Sequence, residues 1–190
     1  MPGTPAFTRL LAAREWLPAE RLGQLEVDPP LRPWLIGKGL LTRRIREACG
    51  ERFALRLVHQ WTGLLDGALK SSLRVADGAG LFREVELCCG EEPWVFAQTV
   101  VPDSTLTLYP WLAELGEASL GETLNELTGV ERSSYEYACL PAGEPPGSRS
   151  PGPGESALLW ARRSKIRVRG APLLVQEVFL PGMGRTARSA

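Results

Sequence analysis

Two charged residues in this chain sit where charge is least expected, and their types are those of a small-molecule grip. The run Leu173 to Pro181 reads Leu-Leu-Val-Gln-Glu-Val-Phe-Leu-Pro. Strand side chains alternate between faces, so Glu177 shares its face with Leu173, Val175 and Phe179. An acid there is costly unless it is paired, protonated or used. A second run repeats the oddity with the opposite sign: Leu81, Arg83, Val85, Leu87 and Cys89 share one face. Arg83 and Glu177 are read as the two charged walls of one buried pocket. The plainer reading of the same pattern is a buried salt bridge, or two charges turned outward at a sheet edge.

Other chemistries find less support. The four cysteines, Cys49, Cys88, Cys89 and Cys139, lack C-x-x-C spacing. The adjacent pair Cys88 and Cys89 points to opposite faces of a strand, which suits neither a mutual disulfide nor a shared metal. His59, the single histidine, lies beside Leu57 and Trp61 and reads as a core or edge residue, so no zinc site is expected. No Ser-His-Asp arrangement is signalled. Neither a G-x-G-x-x-G nor a G-x-x-x-x-G-K-[ST] occurs, which disfavours nucleotide cofactors.

The 22 basic residues balance the 22 acidic ones, so no overall field points to nucleic acid or an acidic membrane. No apolar run approaches the roughly 20 residues needed to cross a bilayer, and Met1 to Arg14 lacks the order of a secretory signal. With 44% hydrophobic and 23% charged residues over 190 positions, one cytoplasmic globular domain is the expectation.

The elements that must carry the two charges are mostly strands. Strands are predicted over Phe53 to Trp61, Leu81 to Cys89, Trp94 to Val101, Ser133 to Leu140, Leu158 to Val168 and from Leu173. Gly90-Glu91-Glu92-Pro93 turns one hairpin and Gly170-Ala171-Pro172 another. Val101 to Thr105 breaks the sheet. Helical segments are predicted at Phe7 to Arg14, Leu31 to Leu35, Thr42 to Cys49 and Tyr109 to Leu115. A further helix starts at Ser119 and runs to about Leu127, with a capping box in which Glu122 reaches back to Ser119. Pro18 marks a linker, Ser71 to Val75 is read as a possible strand, and Pro141 to Glu155 as a mobile surface loop. The total is α+β: about six strands in an antiparallel sheet with short helices inserted.

The order of several short motifs adds a family. Phe82-Arg83-Glu84-Val85, Glu92-Pro93-Trp94, Thr99-Val100-Val101-Pro102-Asp103-Ser104-Thr105-Leu106, Leu120-Gly121, Leu159-Trp160-Ala161-Arg162-Arg163-Ser164 and Glu177-Val178-Phe179-Leu180-Pro181 follow one another in a way that resembles the chorismate pyruvate-lyases. The resemblance covers roughly Leu31 to Pro181. It implies helical flaps over a buried ligand, residues 31–181 as the lyase-like domain, 1–30 as a helical or irregular segment packed on it, and 182–190 as a disordered tail.

The resemblance also implies roles. Arg83 would grip the ring carboxylate, with the backbone amides of Leu41 and Leu120, and Glu177 would face the ring's 4-oxygen. Helix starts near Leu41 and Leu120 fit this independently, because first-turn N–H groups lack helical partners and suit a carboxylate. The implied reaction eliminates pyruvate from chorismate to give 4-hydroxybenzoate for ubiquinone, without metal or cofactor, in a monomer inhibited by its product. Neither nucleic acid nor stable membrane insertion is implied. The resemblance retains Trp160, Arg162 and Arg163 and implies that the two arginines can meet the enolpyruvyl carboxylate, while a solvated strand face suits Arg162, Arg163 and Lys165 at least as well. Gln98 stands where the family often has arginine. The competing expectation is a non-catalytic domain of the same fold that binds an aromatic carboxylate, as in the effector domains of transcription regulators.

Overall fold

A computed structural model of the chain describes residues 7, 8, 11, 14–24, 26–142 and 158–186. The expected hairpin forms where Gly90 takes a φ of 64°, a conformation open to glycine. It joins β3 (Ala79–Cys89) to β4 (Glu92–Pro102). With β1 (Leu17–Pro18), β2 (Phe53–Leu64), β5 (Val130–Arg132), β6 (Glu136–Pro141), β7 (Leu158–Val168) and β8 (Ala171–Phe179), these build one antiparallel sheet. The strand order is β1-β6-β7-β8-β4-β3-β2, and β5 pairs with β7 beside β6.

The sheet therefore has eight strands rather than six, and both additions are short. Leu17 and Pro18, expected in a linker, pair with Tyr137 and Glu136 at the sheet edge, where a proline is tolerated. The second hairpin turns at Arg169 and Gly170, both with positive φ (47° and 91°). Ala171 and Pro172, expected in that turn, are already in β8. Strand β4 continues to Pro102, one residue past its expected end at Val101, before a helix begins at Asp103.

The helices are α1 (Arg32–Ile36), α2 (Leu41–Cys49), α3 (Gly67–Leu73), α4 (Asp103–Leu108), α5 (Leu120–Asn125) and α6 (Pro181–Thr186). Helix α3 replaces the strand considered at Ser71 to Val75, because Asp66 caps it by accepting from the Leu69 amide at 2.8 Å. Residues 182–186, expected in a disordered tail, belong to α6, whose Met183 is buried in the core cluster that includes Trp94. Most of the loop expected over Pro141 to Glu155 lies outside the described residues, as do several positions of Phe7 to Arg14. No described helix is long and apolar enough to cross a membrane.

Alternation divides the sheet into two faces, each with two apolar clusters. On one face Val85, Leu87, Val95 and Phe179 pack with Leu41 and Ile45 of α2. Further along that face Leu81, Val101, Ile166 and Leu173 pack with Leu120 and Leu124 of α5. The opposite face holds Phe96, Val178 and Phe7 in one cluster, and Phe82, Val100 and Leu174 with α3 in another. A disulfide between Cys49 and Cys89, unanticipated from the spacing, ties the end of α2 to β3.

Candidate active site

Between the two clusters beneath α2 and α5 the sheet turns polar. Arg83 rises from β3 opposite Thr99 of β4 and is 3% exposed. Its Nη2 donates to the carbonyl oxygens of Gly116 (2.8 Å) and Ala118 (2.9 Å). Its Nε is buried without a partner, and no carboxylate lies within ion-pair distance among the described residues. Burial lowers its pKa to about 10. A desolvated cation held only by carbonyl dipoles gains strongly from an anion at the free edge of its guanidinium.

Glu177 is differently provided for. It stands directly across from Arg162 in the β7–β8 pair, and Arg162 Nε donates to Glu177 Oε2 at 2.5 Å. Arg162 is 1% exposed, and its Nη1 donates to the carbonyls of Trp34 (3.2 Å), Leu35 (3.1 Å) and Gly37 (3.3 Å). Its guanidinium also lies 4.3 Å from the Tyr135 ring centroid. A side chain at Gly37 would collide with Arg44 and the Pro33 carbonyl, so glycine there leaves room for Arg44 to donate to that carbonyl at 3.0 Å. Arg162 thus clamps the acid and the segment leading into α2. The sequence left Arg162 between a contact to the enolpyruvyl carboxylate and a solvated strand face; it is instead buried against Glu177. The signal that identifies it is the hairpin register, because a two-residue turn at 169–170 places 162 opposite 177.

Two helix starts close the site from above. Leu40, at the N-cap of α2, supplies no side-chain cap, so the Leu41 amide lies in an uncapped first turn. At α5 the Ser119 hydroxyl accepts from the Glu122 amide at 3.3 Å. The return bond of the expected capping box is not among those formed; the Glu122 carboxylate accepts from Arg46 Nη2 of α2 at 2.9 Å. A second link between the helices joins the Ser119 and Thr42 hydroxyls at 3.0 Å.

Leu41, Arg83, Leu120 and Glu177 all line one hollow, together with Thr99 and Arg132. The hollow measures about 60 Å³, whereas an engineered cavity that takes up benzene has roughly 150 Å³. As it stands the hollow is too small for a six-membered ring, so its lining must give way to admit one. Other sequence candidates lie elsewhere. Arg163 Nε donates to Glu136 at 2.8 Å and its guanidinium covers Trp16 on the opposite face. Gln98 is also on that face, donating to Thr8 and Glu84, so it makes no contact with the hollow. His59 is exposed on the outermost strand. Among the described residues no group of His, Cys, Asp and Glu could hold a metal ion.

The family model described as chorismate lyase matches residues 10–187. The chain belongs to the chorismate lyase family. A chorismate pyruvate-lyase of Salmonella arizonae is 33% identical over 181 residues, covering 93% of this chain and 95% of the relative. A Pseudomonas putida protein named a probable chorismate pyruvate-lyase is 36% identical over 180 residues, covering 93% and 94%. Among solved structures, the effector domain of PhnF from Mycobacterium smegmatis superposes with a TM-score of 0.52 at 22% identity, covering 76% of this chain and 90% of that one. The C-terminal domain of the histidine utilization repressor from Pseudomonas syringae gives 0.53 at 10% identity, covering 70% and 94%. These two establish shared fold alone.

Proposed function

We propose that this chain is a chorismate pyruvate-lyase that releases 4-hydroxybenzoate and pyruvate, the aromatic product serving ubiquinone synthesis. The observation that carries the reading is the pairing of Arg83, buried without an acid, and Glu177, clamped by Arg162, in one hollow. The names of the relatives support the choice of substrate.

Chorismate is a cyclohexadiene with a ring carboxylate, a hydroxyl para to it, and an enolpyruvyl ether on the carbon next to the hydroxyl. Arg83 and the amides of Leu41 and Leu120 receive the ring carboxylate. Glu177 accepts the hydrogen bond of the para hydroxyl. The ether carbon–oxygen bond breaks with its electron pair moving to the enolpyruvyl oxygen, and positive charge spreads over the ring. The hydroxyl-bearing carbon then loses its proton, and that C–H electron pair completes the aromatic sextet. The enolpyruvate takes a proton on its methylene carbon to become pyruvate. Atoms and electrons balance within the substrate, so the chemistry asks for neither an oxidant nor a cofactor.

The protein's task is then orientation and charge. A carboxylate about 4 Å from the developing ring cation is worth up to about 4 kcal/mol at an effective dielectric near 20. Arg162 lies closer still to Glu177 and offsets much of that field. Holding the ring in its reactive pose is accordingly the larger share of the effect. The helical flaps that the family resemblance implies are α2 and α5, and their parting for entry and exit makes product release the natural slow step.

Incubating the purified chain with chorismate and following both products tests the reading. Equal amounts of 4-hydroxybenzoate and pyruvate are expected. Binding of 4-hydroxybenzoate without conversion of chorismate would instead place the chain with the non-catalytic binding domains.

A further inference from the structure

Chorismate carries two carboxylates, and Arg83 accounts for one. Three cations line the hollow: Arg83, Arg132 and Arg162. Arg162 is committed to Glu177 and three backbone carbonyls. Arg132 is not committed in this way. It is exposed at the end of β5, its Nη1 donates to the Ser164 hydroxyl at 2.5 Å, and its guanidinium lies 5.8 Å from the Tyr135 ring centroid. No acid is within ion-pair distance of it among the described residues.

We propose that Arg132 binds the enolpyruvyl carboxylate and so selects the dianionic substrate over its monoanionic product; this rests on the lyase reading above. Placement argues for it. Ser164 of β7 pairs with Val175 of β8, two residues from Glu177, so Ser164 and Glu177 are diagonal neighbours about 7–8 Å apart. A ring anchored at Arg83 with its hydroxyl on Glu177 carries the ether substituent on the adjacent carbon. That substituent needs only to span the distance to Ser164 to bring its carboxylate under the Arg132 guanidinium.

The surroundings agree. Arg132 and Tyr135, with Gly39 and Leu40, line both the inner hollow and an adjoining groove of about 810 Å³. Arg132 therefore stands at the threshold between the two. The groove also carries Arg32 and Lys38 against one acid, Glu20, which with Arg132 leaves a net positive approach suited to drawing in a dianion. The hydrogen bond to Ser164 aims the guanidinium while leaving most of its donors free for a bidentate carboxylate contact.

The test compares substrate with product. In Arg132→Ala, kcat/KM for chorismate should fall about 10- to 100-fold, the usual loss for a charge-assisted hydrogen bond. The Kd for 4-hydroxybenzoate, measured by titration calorimetry, should stay within about threefold, because the product lacks this carboxylate. Arg132→Lys should recover part of the chorismate loss through charge alone, while a purely structural role would move substrate and product together. Unchanged chorismate kinetics in Arg132→Ala, or an equal loss of product affinity, would overturn the role of Arg132 and leave the lyase reading standing. Failure of the unaltered chain to convert chorismate would overturn that reading, and this inference with it.

Discussion

Arg162→Met isolates the clamp that joins the acid to the flap. Methionine keeps much of the volume and packing but removes the donors to Glu177 and to the carbonyls of Trp34, Leu35 and Gly37. Breaking one side of a buried ion pair costs about 3–5 kcal/mol. The Glu177 side chain keeps 13% of its exposure, so water relieves part of this and about 3 kcal/mol is the expected loss. For a chain of this size that lowers Tm by roughly 6–12 °C. The informative step is the second one. If the cost is an acid left without its partner, then adding Glu177→Gln to Arg162→Met should restore at least about 1 kcal/mol, although Glu177→Gln alone destabilises. Urea unfolding of the four proteins, followed by circular dichroism, completes the cycle. Strictly additive losses, or a loss below about 1 kcal/mol in Arg162→Met, would refute the clamp.

Arg83→Ala should weaken 4-hydroxybenzoate binding at least about tenfold, the scale of a charge-assisted contact; near-normal affinity by calorimetry would defeat its assignment to the ring carboxylate. Glu177→Gln keeps a hydrogen-bonding partner for the hydroxyl but removes the negative charge, so turnover should drop while product still binds; full turnover would exclude a role for that charge. On the opposite face, burial raises the pKa of Glu84, with the Gln98 hydrogen bond and His59 opposing. A carboxyl raised on folding disfavours the folded state above its folded pKa, and the penalty fades as pH falls through that value toward the unfolded one. Glu84→Gln should accordingly stabilise the chain near pH 8 and make little difference near pH 4; an equal effect at both would contradict the assignment.

How much of this was legible follows from what alternation can and cannot say. Period-two patterning put Arg83 on the face of Val85 and Leu87, and Glu177 on that of Val175, because those strands are apolar enough for one charge to stand out. In Leu158 to Val168 the cations at 162, 163, 165 and 167 occur on both faces, so composition alone did not say which one turned inward. Placing the second turn at Gly170-Ala171-Pro172 also concealed the register, and with it the opposition of Arg162 and Glu177. Arg132 belongs to a three-residue strand, too short for a periodic signal. The Cys49–Cys89 link depends on α2 packing beside β3, a long-range fact that cysteine spacing does not carry. Ser119 was legible as a cap because its hydroxyl acts locally. The destination of Glu122 was not, since Arg46 lies 76 residues away.

A crystal structure of the chain with 4-hydroxybenzoate tests most directly whether one small aromatic guest is held at both ends. The expected result has the carboxylate about 3 Å from the Arg83 guanidinium and from the Leu41 and Leu120 amides, with the hydroxyl on Glu177. A ring bound outside this hollow, or reversed with its carboxylate toward Glu177, would contradict it.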